Sequence, residues 1–278
     1  MDRQSMSVNK VSSRLDWEDI TWSDPDGGTI ILHGVLPTII FPRKLRPKFE
    51  WHGLALLESD DIVELWIQEE KDEAESQGIN RSHALISGGT MALYLDELIE
   101  LEDIPSGRFP DPEPRRVHRL AIRHDRPVYF IEPSFDDELW EEHMLKEAKE
   151  VSRWRKLLGL ISLGGKWRKR VKRNIFEAQK PPKGIGANFA SASVLAATWW
   201  DLNEWLIGEK ISSSRNTRFA KRLRGALANL RKTHGDDSRL LVPVAMPWRL
   251  QILSSLDLCS EVEEISSNTT DSNNMEEE

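Results

Sequence analysis

Between Gly28 and Leu256 short β-branched runs alternate with longer segments whose apolar residues recur every three or four positions. After the turn Asp24-Pro25-Asp26-Gly27-Gly28, the run TIILHGVLPTIIF predicts a first buried strand, interrupted at His33-Gly34 and ending in a loop at Pro37. WHGLALLESDD predicts a second short strand ending in acid, and PVYFIEP a third. Helical spacing follows Ser59, a candidate cap, through Ile62, Val63, Leu65 and Trp66 into a charged run that Gly78 closes. Met91, Leu95, Leu98 and Leu101 mark another helix, VHRLAIRHDR a further one, and an acidic helix follows with Ser134 as its cap. Arg81 to Ile86 is ambiguous between loop and strand. IPSGRFPDPEPRR, with four prolines in ten residues, reads as a loop.

The stretch from Ile211 to Leu256 carries the clearest pattern: helix, polar turn, short buried strand, helix. Phe219, Leu223, Ala226, Leu227 and Leu230 lie on one helical face, with Ser212 to Ser214 as N-cap candidates. Arg215 and Asn216 then fall in the first turn, at the edges of the apolar stripe, while Arg218, Lys221 and Arg224 point away from it. A cation so placed opposes the helix dipole at a cost of about 0.3–1 kcal/mol, which an anionic partner would offset. Pro243 weakens the following strand as an interior strand.

Helix and strand in alternation, with short apolar strands, predict an α/β fold: a mostly parallel or mixed central sheet covered by helices. A flexible N-terminus over 1–14, a single domain over 15–256 and a disordered acidic tail over 257–278 are expected. Residues 152–184 break the rhythm as a basic helical insert.

Composition refines this. Hydrophobic content of 39% and charged content of 30% suit a globular protein large enough for a sizeable core. A net charge of −8 disfavours bulk nucleic-acid binding, which depends on phosphate neutralisation. The insert holds eleven Lys/Arg against Glu177 alone, so it carries +10 and the rest of the chain −18. A single cysteine, Cys259, excludes intramolecular disulfides and thiolate zinc cages and points to a reducing, cytoplasmic compartment. No apolar run is long enough to span a bilayer, and the first residues lack the apolar centre of a secretory signal.

Familiar catalytic signatures are absent: no Walker loop, no GxGxxG after a strand, no HExxH, no GxSxG. His33 and Glu58, at the ends of adjacent predicted strands, are the candidate catalytic pair, because α/β sheets bind ligands at strand ends. With Arg215 they could hold an anion or a metal-bound water, with Glu58 as ligand or general base. The competing reading is a hydrogen-bonded histidine and a carboxylate capping the next helix. In the insert, Trp154, Lys166, Trp167, Arg168, Lys169 and Arg170 combine cations with tryptophan, which suits an anionic membrane surface or stacked RNA bases. A helical hairpin packing its leucines on the domain is the structural alternative.

The segment RNTRFAKRLR, preceded by WLIGEK and followed by an apolar strand and helix, resembles the C-terminal part of the TraB/PrgY (TIKI-like) family, where Arg-Asn opens such a helix. HRLAIRHDRPVYFIEPSFDDELWEEH through RWRKLLGLI is similar to the family's helix, strand and following helix. GTIILHGV and LALLESDD occupy the places of its GTAH and ELD strands, so the likeness covers Gly28 to Leu256 in order. It implies an α/β fold and metal-dependent hydrolase or peptidase-like chemistry. The histidine motifs are absent, however: HGVLP and VAMPW stand in their places, and only Arg215-Asn216 carries over cleanly. The resemblance therefore implies a degenerate, non-catalytic domain binding a peptide or small anionic ligand at Arg215 and Asn216, with no resident cofactor. A divergent hydrolase using a divalent metal with His33, Glu58 and Arg215 is the alternative it leaves open, and a protein peripheral at the membrane through the insert is the third.

Overall fold

Why the strands assemble as they do follows from their faces. The computed structural model describes residues 13–268. Residues 1–12 of the expected loose N-terminus and residues 269–278 of the expected tail lie outside that range. In chain order the elements are β1 Ile20–Ser23, β2 Thr29–Val35, β3 Gly53–Leu56, α1 Ile62–Glu75, α2 Ile79–Ile86, α3 Gly89–Ile99, α4 Pro112–Arg123, β4 Val128–Phe130, α5 Glu138–Val151, α6 Trp154–Ile161, α7 Leu163–Asn174, α8 Asn188–Ile207, α9 Glu209–His234, β5 Arg239–Ala245 and α10 Arg249–Leu258. The sheet order is β1-β2-β5-β3-β4; β1 runs antiparallel to β2 and the other pairs are parallel. The chain is thus an α/β protein with a mixed, mostly parallel sheet flanked by helices.

Alternate strand residues point to opposite faces. Ile30, Leu32, Leu240, Val242 and Val244 meet Phe219, Leu223, Leu227 and Leu230 of α9 and Ile252 and Leu256 of α10. Ile31, Leu54, Leu56 and Leu241 meet Trp66 of α1 and Val117 and Ala121 of α4. Burial on both faces explains the nearly continuous apolar run of β5. A third cluster joins Leu36, Ile39 and Phe41, after β2, to Tyr94, Leu95 and Leu98 of α3, Trp167 of α7 and Phe189, Ala192 and Ala196 of α8.

Pro243 does not exclude β5 from the interior: β5 is the middle strand of the five. Its register sets Pro243 opposite His33 of β2, whereas the ladder to β3 ends at Leu241, so the proline lies where the sheet opens between β5 and β3.

Several local expectations change. β1 completes the sheet from a stretch that shows little periodicity. Arg81 to Ile86 is helical, with Gly78 in a left-handed conformation at the head of α2 rather than at the end of α1. The proline-rich loop is shorter than expected, because Pro112 and Pro114 enter the first turn of α4, where a missing N–H breaks no helical bond. The cap of α5 is Asp137, accepting from Trp140 N, rather than Ser134, and α1 begins after Asp61 with no side-chain cap from Ser59.

Helix α9 begins at Glu209, so Ser212 to Ser214 are interior and Arg215 lies beyond the first turn. The dipole argument for an anionic partner at Arg215 therefore loses its premise, since the effect fades within one turn. Arg224 does not face solvent: it is buried and bonds Asp24 at 2.8 and 3.0 Å and Asp26 at 2.9 Å, tying α9 to the turn before β2. Residues 259–268, part of the expected tail, form no helix or strand yet run along α9. Glu263 N donates to Lys221 O, its carboxylate pairs with Arg218 and Arg222, and Asn268 N donates to Val128 O. They cross at Gly225, where any Cβ would overlap the Glu263 carbonyl oxygen.

Candidate functional site

The three apolar clusters meet at the C-terminal ends of the parallel strands and leave a cleft of about 280 Å³. Val35, Leu56 and Pro243 to Ala245 form its floor; α1, α4, α8 and the turn Met246–Trp248 form its walls. Four tryptophans line it: Trp66, Trp199, Trp200 and Trp248. So do three carboxylates, Glu58, Glu69 and Asp111, and no Lys, Arg or His does.

Glu58 follows β3 by two residues and keeps contact with water at the mouth. Neighbouring protein atoms crowd its carboxyl although the residue as a whole is exposed, and this, followed by the nearby charge of Glu132, pushes the carboxyl up to about 7. Its exposure screens part of that effect. Asp111 lies deeper, at the head of α4, and its Oδ1 is buried without a hydrogen-bond partner. Burial pushes its carboxyl up to about 7; the backbone amides of Thr38 and Glu113 pull the other way, and the charges of Glu113 and Glu58 add to the rise. Glu69 is also raised, by burial and by Asp72 and Glu73. Each of these groups resists ionising because burial penalises its charge and nearby carboxylates add to that penalty.

Beside Asp111, Thr38 has φ of 61° and a buried, unpartnered Oγ1. A β-branched residue in the left-handed region is strained, at a cost of about 1–3 kcal/mol. The surroundings hold it there: Tyr94 Oη donates to Pro37 O at 2.7 Å and Arg108 N donates to Thr38 O at 3.0 Å.

The residues expected from the sequence are distributed around this cleft unequally. Glu58 lines it. His33 does not: it lies inside β2, buried, with Nδ1 2.7 Å from Asp19 Oδ1 and its ring edge-on to Phe41. Arg215 stands behind the tryptophan wall. Its guanidinium is 4.7 Å from the Trp248 ring centre and 5.6 Å from that of Trp200, and Nη2 bonds Glu204 Oε1 at 2.9 Å. Asn216 Oδ1 accepts from Arg215 Nε and from Trp248 Nε1. Arg215 and Asn216 thus shape the wall while Glu58 faces the interior. An anion at Arg215 would have to compete with Glu204.

Among the described residues, no three His, Cys, Asp or Glu side chains are grouped as metal ligands. In the insert, Trp167 is buried with Nε1 2.6 Å from Glu97 Oε1, Lys166 donates to Gly159 O, and Arg170 leans over Trp205. These three are packed inward, whereas Trp154, Arg168 and Lys169 face solvent.

Asp111, Thr38 and the tryptophans were not singled out from the sequence. Asp111 sits among prolines that read as a plain loop, and tryptophans in apolar helices read as core. The available signal was that VAMPW, which ends in Trp248, stands in the place where the resemblance expects a histidine-bearing loop. No family model, curated protein or solved structure matches this chain.

Proposed function

We propose that this chain is a TraB/PrgY-like binding domain whose cleft holds a small organic ammonium group, free or as the basic side chain of a peptide. The supporting observation is the lining: three carboxylates, one with an unpartnered buried oxygen, among four tryptophan rings and no opposing cation. Aromatic faces attract cations through their quadrupole, and a desolvated site strengthens that attraction to about 2 kcal/mol or more per contact. A cation entering would draw the protons off Asp111 and Glu58, so binding releases protons and tightens as pH rises toward and past about 7. The ligand charge is opposite to that expected at Arg215, which Glu204 already neutralises.

Calorimetry with tetramethylammonium and with a short lysine peptide tests this. Heat that grows from acid to mildly alkaline pH, and disappears in Asp111→Asn and Trp248→Ala, is the expected result. Preference for acetate over the ammonium probe, or binding indifferent to pH, would reject it.

A second reading rests on Glu58 and Asp111 themselves. Two carboxyls poised near neutrality in one cleft are suited to general acid and base work in a hydrolase. The metal-dependent form expected from the sequence retains Glu58 in the cleft but not His33. Ester and peptide substrates turned over at a rate abolished by Glu58→Gln would favour it; turnover equal in wild type and variant would dismiss it.

A further inference from the structure

Helix α6 carries its apolar stripe on the side opposite to the protein. At 100° per residue Trp154, Leu157, Leu158 and Ile161 share one face, and they are 65%, 50%, 54% and 84% exposed. The other face is fixed. Gly159 lies so close to Trp205 that a Cβ would stand 2.6 Å from its ring, and Lys156 bonds Trp205 O with its ammonium 4.8 Å from the ring centre. Lys166 reaches back from α7 to Gly159 O at 2.8 Å. The helix is thereby held with its apolar face outward, the reverse of the usual arrangement for a helix packed on a core. On α7, Trp167 and Asn174 are buried and Arg168, Lys169 and Lys172 stand exposed on the opposite side. Glu177 is the single acidic residue across 152–184.

We propose that α6 and the solvent face of α7 dock on an anionic lipid surface, with Trp154, Leu157, Leu158 and Ile161 entering the interface and the lysines and arginines of α7 meeting the headgroups. Charge selects this occupant. A second copy meeting it face to face would bring two +10 segments together, which Coulomb repulsion opposes. A nucleic acid would find one aromatic ring in the stripe, the other three members being aliphatic with no π face to stack on. A bilayer surface supplies both an apolar layer and negative headgroups.

Sedimentation of the full chain with phosphatidylcholine vesicles, with and without phosphatidylserine, tests the proposal at low and high salt. Binding should require phosphatidylserine and weaken in salt. The combined change R168E/K169E/K172E should lower partition by at least about a hundredfold. L157S/I161S should lower it by about tenfold or more. All five residues are exposed, so unchanged melting temperatures will show that both variants fold. Three results would overturn the proposal. One is absence of vesicle binding, or binding indifferent to phosphatidylserine. Another is binding that survives L157S/I161S and is displaced by a single-stranded oligonucleotide, which would assign the surface to nucleic acid. The last is a concentration-dependent dimer abolished by L157S/I161S without vesicle binding, which would assign it to a second copy.

Discussion

Asn216 Oδ1 accepts the indole N–H of Trp248 at 3.1 Å, and both residues are buried. The same oxygen takes Arg215 Nε at 3.3 Å, and Trp248 stacks on Trp200 with ring centres 4.6 Å apart. One amide therefore sets the wall of the cleft. Asn216→Leu keeps the branched shape and leaves the indole N–H unpaired, which costs about 1–3 kcal/mol. Urea unfolding measures this. A loss below a few tenths would mean that the hydrogen bond does not hold the wall.

Asp111 couples stability to pH. In the unfolded chain its carboxyl ionises near 3.8, and in the folded chain near 7. The folded state keeps the proton longer, so the stability linked to this proton is complete below 3.8 and is lost as pH rises to about 7. Asp111→Asn has no such proton to lose. Its melting temperature should gain on the wild type as pH climbs through that window; parallel curves would show that Asp111 ionises as an ordinary carboxylate.

The pair Arg224 and Asp24 has the opposite pH sense. Burial opposes ionisation of Asp24, but the Arg224 hydrogen bonds outweigh it and hold the carboxyl below its usual 3.8. Its contribution is present above 3.8 and fades as pH falls beneath it. Arg224→Met strands a buried carboxylate, at a cost of about 3–5 kcal/mol. Adding Asp24→Asn should recover part of that cost. Denaturant midpoints of the single and double variants at neutral pH provide the comparison.

Much of the architecture was readable because burial leaves a period. The runs around Ile31, Leu56 and Val242 are buried on both faces, and the spacing from Phe219 to Leu230 reports one covered helix face. The ends of elements were less legible. Three consecutive serines look like a cap, yet Ser212 lies within α9 and donates back to Glu209 O. Arg224 looks solvated on a helical wheel, and only the turn carrying Asp24, two hundred residues away, makes it core. The site was half legible. Glu58 ends an apolar run and stands out, whereas Asp111 becomes significant only when Thr38, from another loop, comes beside it.

Gly225 is the point where the C-terminal segment passes over α9. Gly225→Ala places a methyl where the Glu263 carbonyl lies, so the segment must lift. Hydrogen exchange should quicken at the Glu263 and Asn268 amides, which donate to Lys221 O and Val128 O, with α9 itself still protected. Unchanged protection at both amides would show that the crossing adjusts without release.

The middle strand of the sheet is the last one synthesised. Ile30 waits for Leu240 and Leu54 for Leu241, so β2 and β3 have no neighbour between them until the ribosome has passed residue 241. Contacts so distant in sequence close slowly and leave unpaired strand edges exposed meanwhile. The cleft floor, to which β5 contributes Pro243 to Ala245, therefore depends on the last strand of the sheet to leave the ribosome.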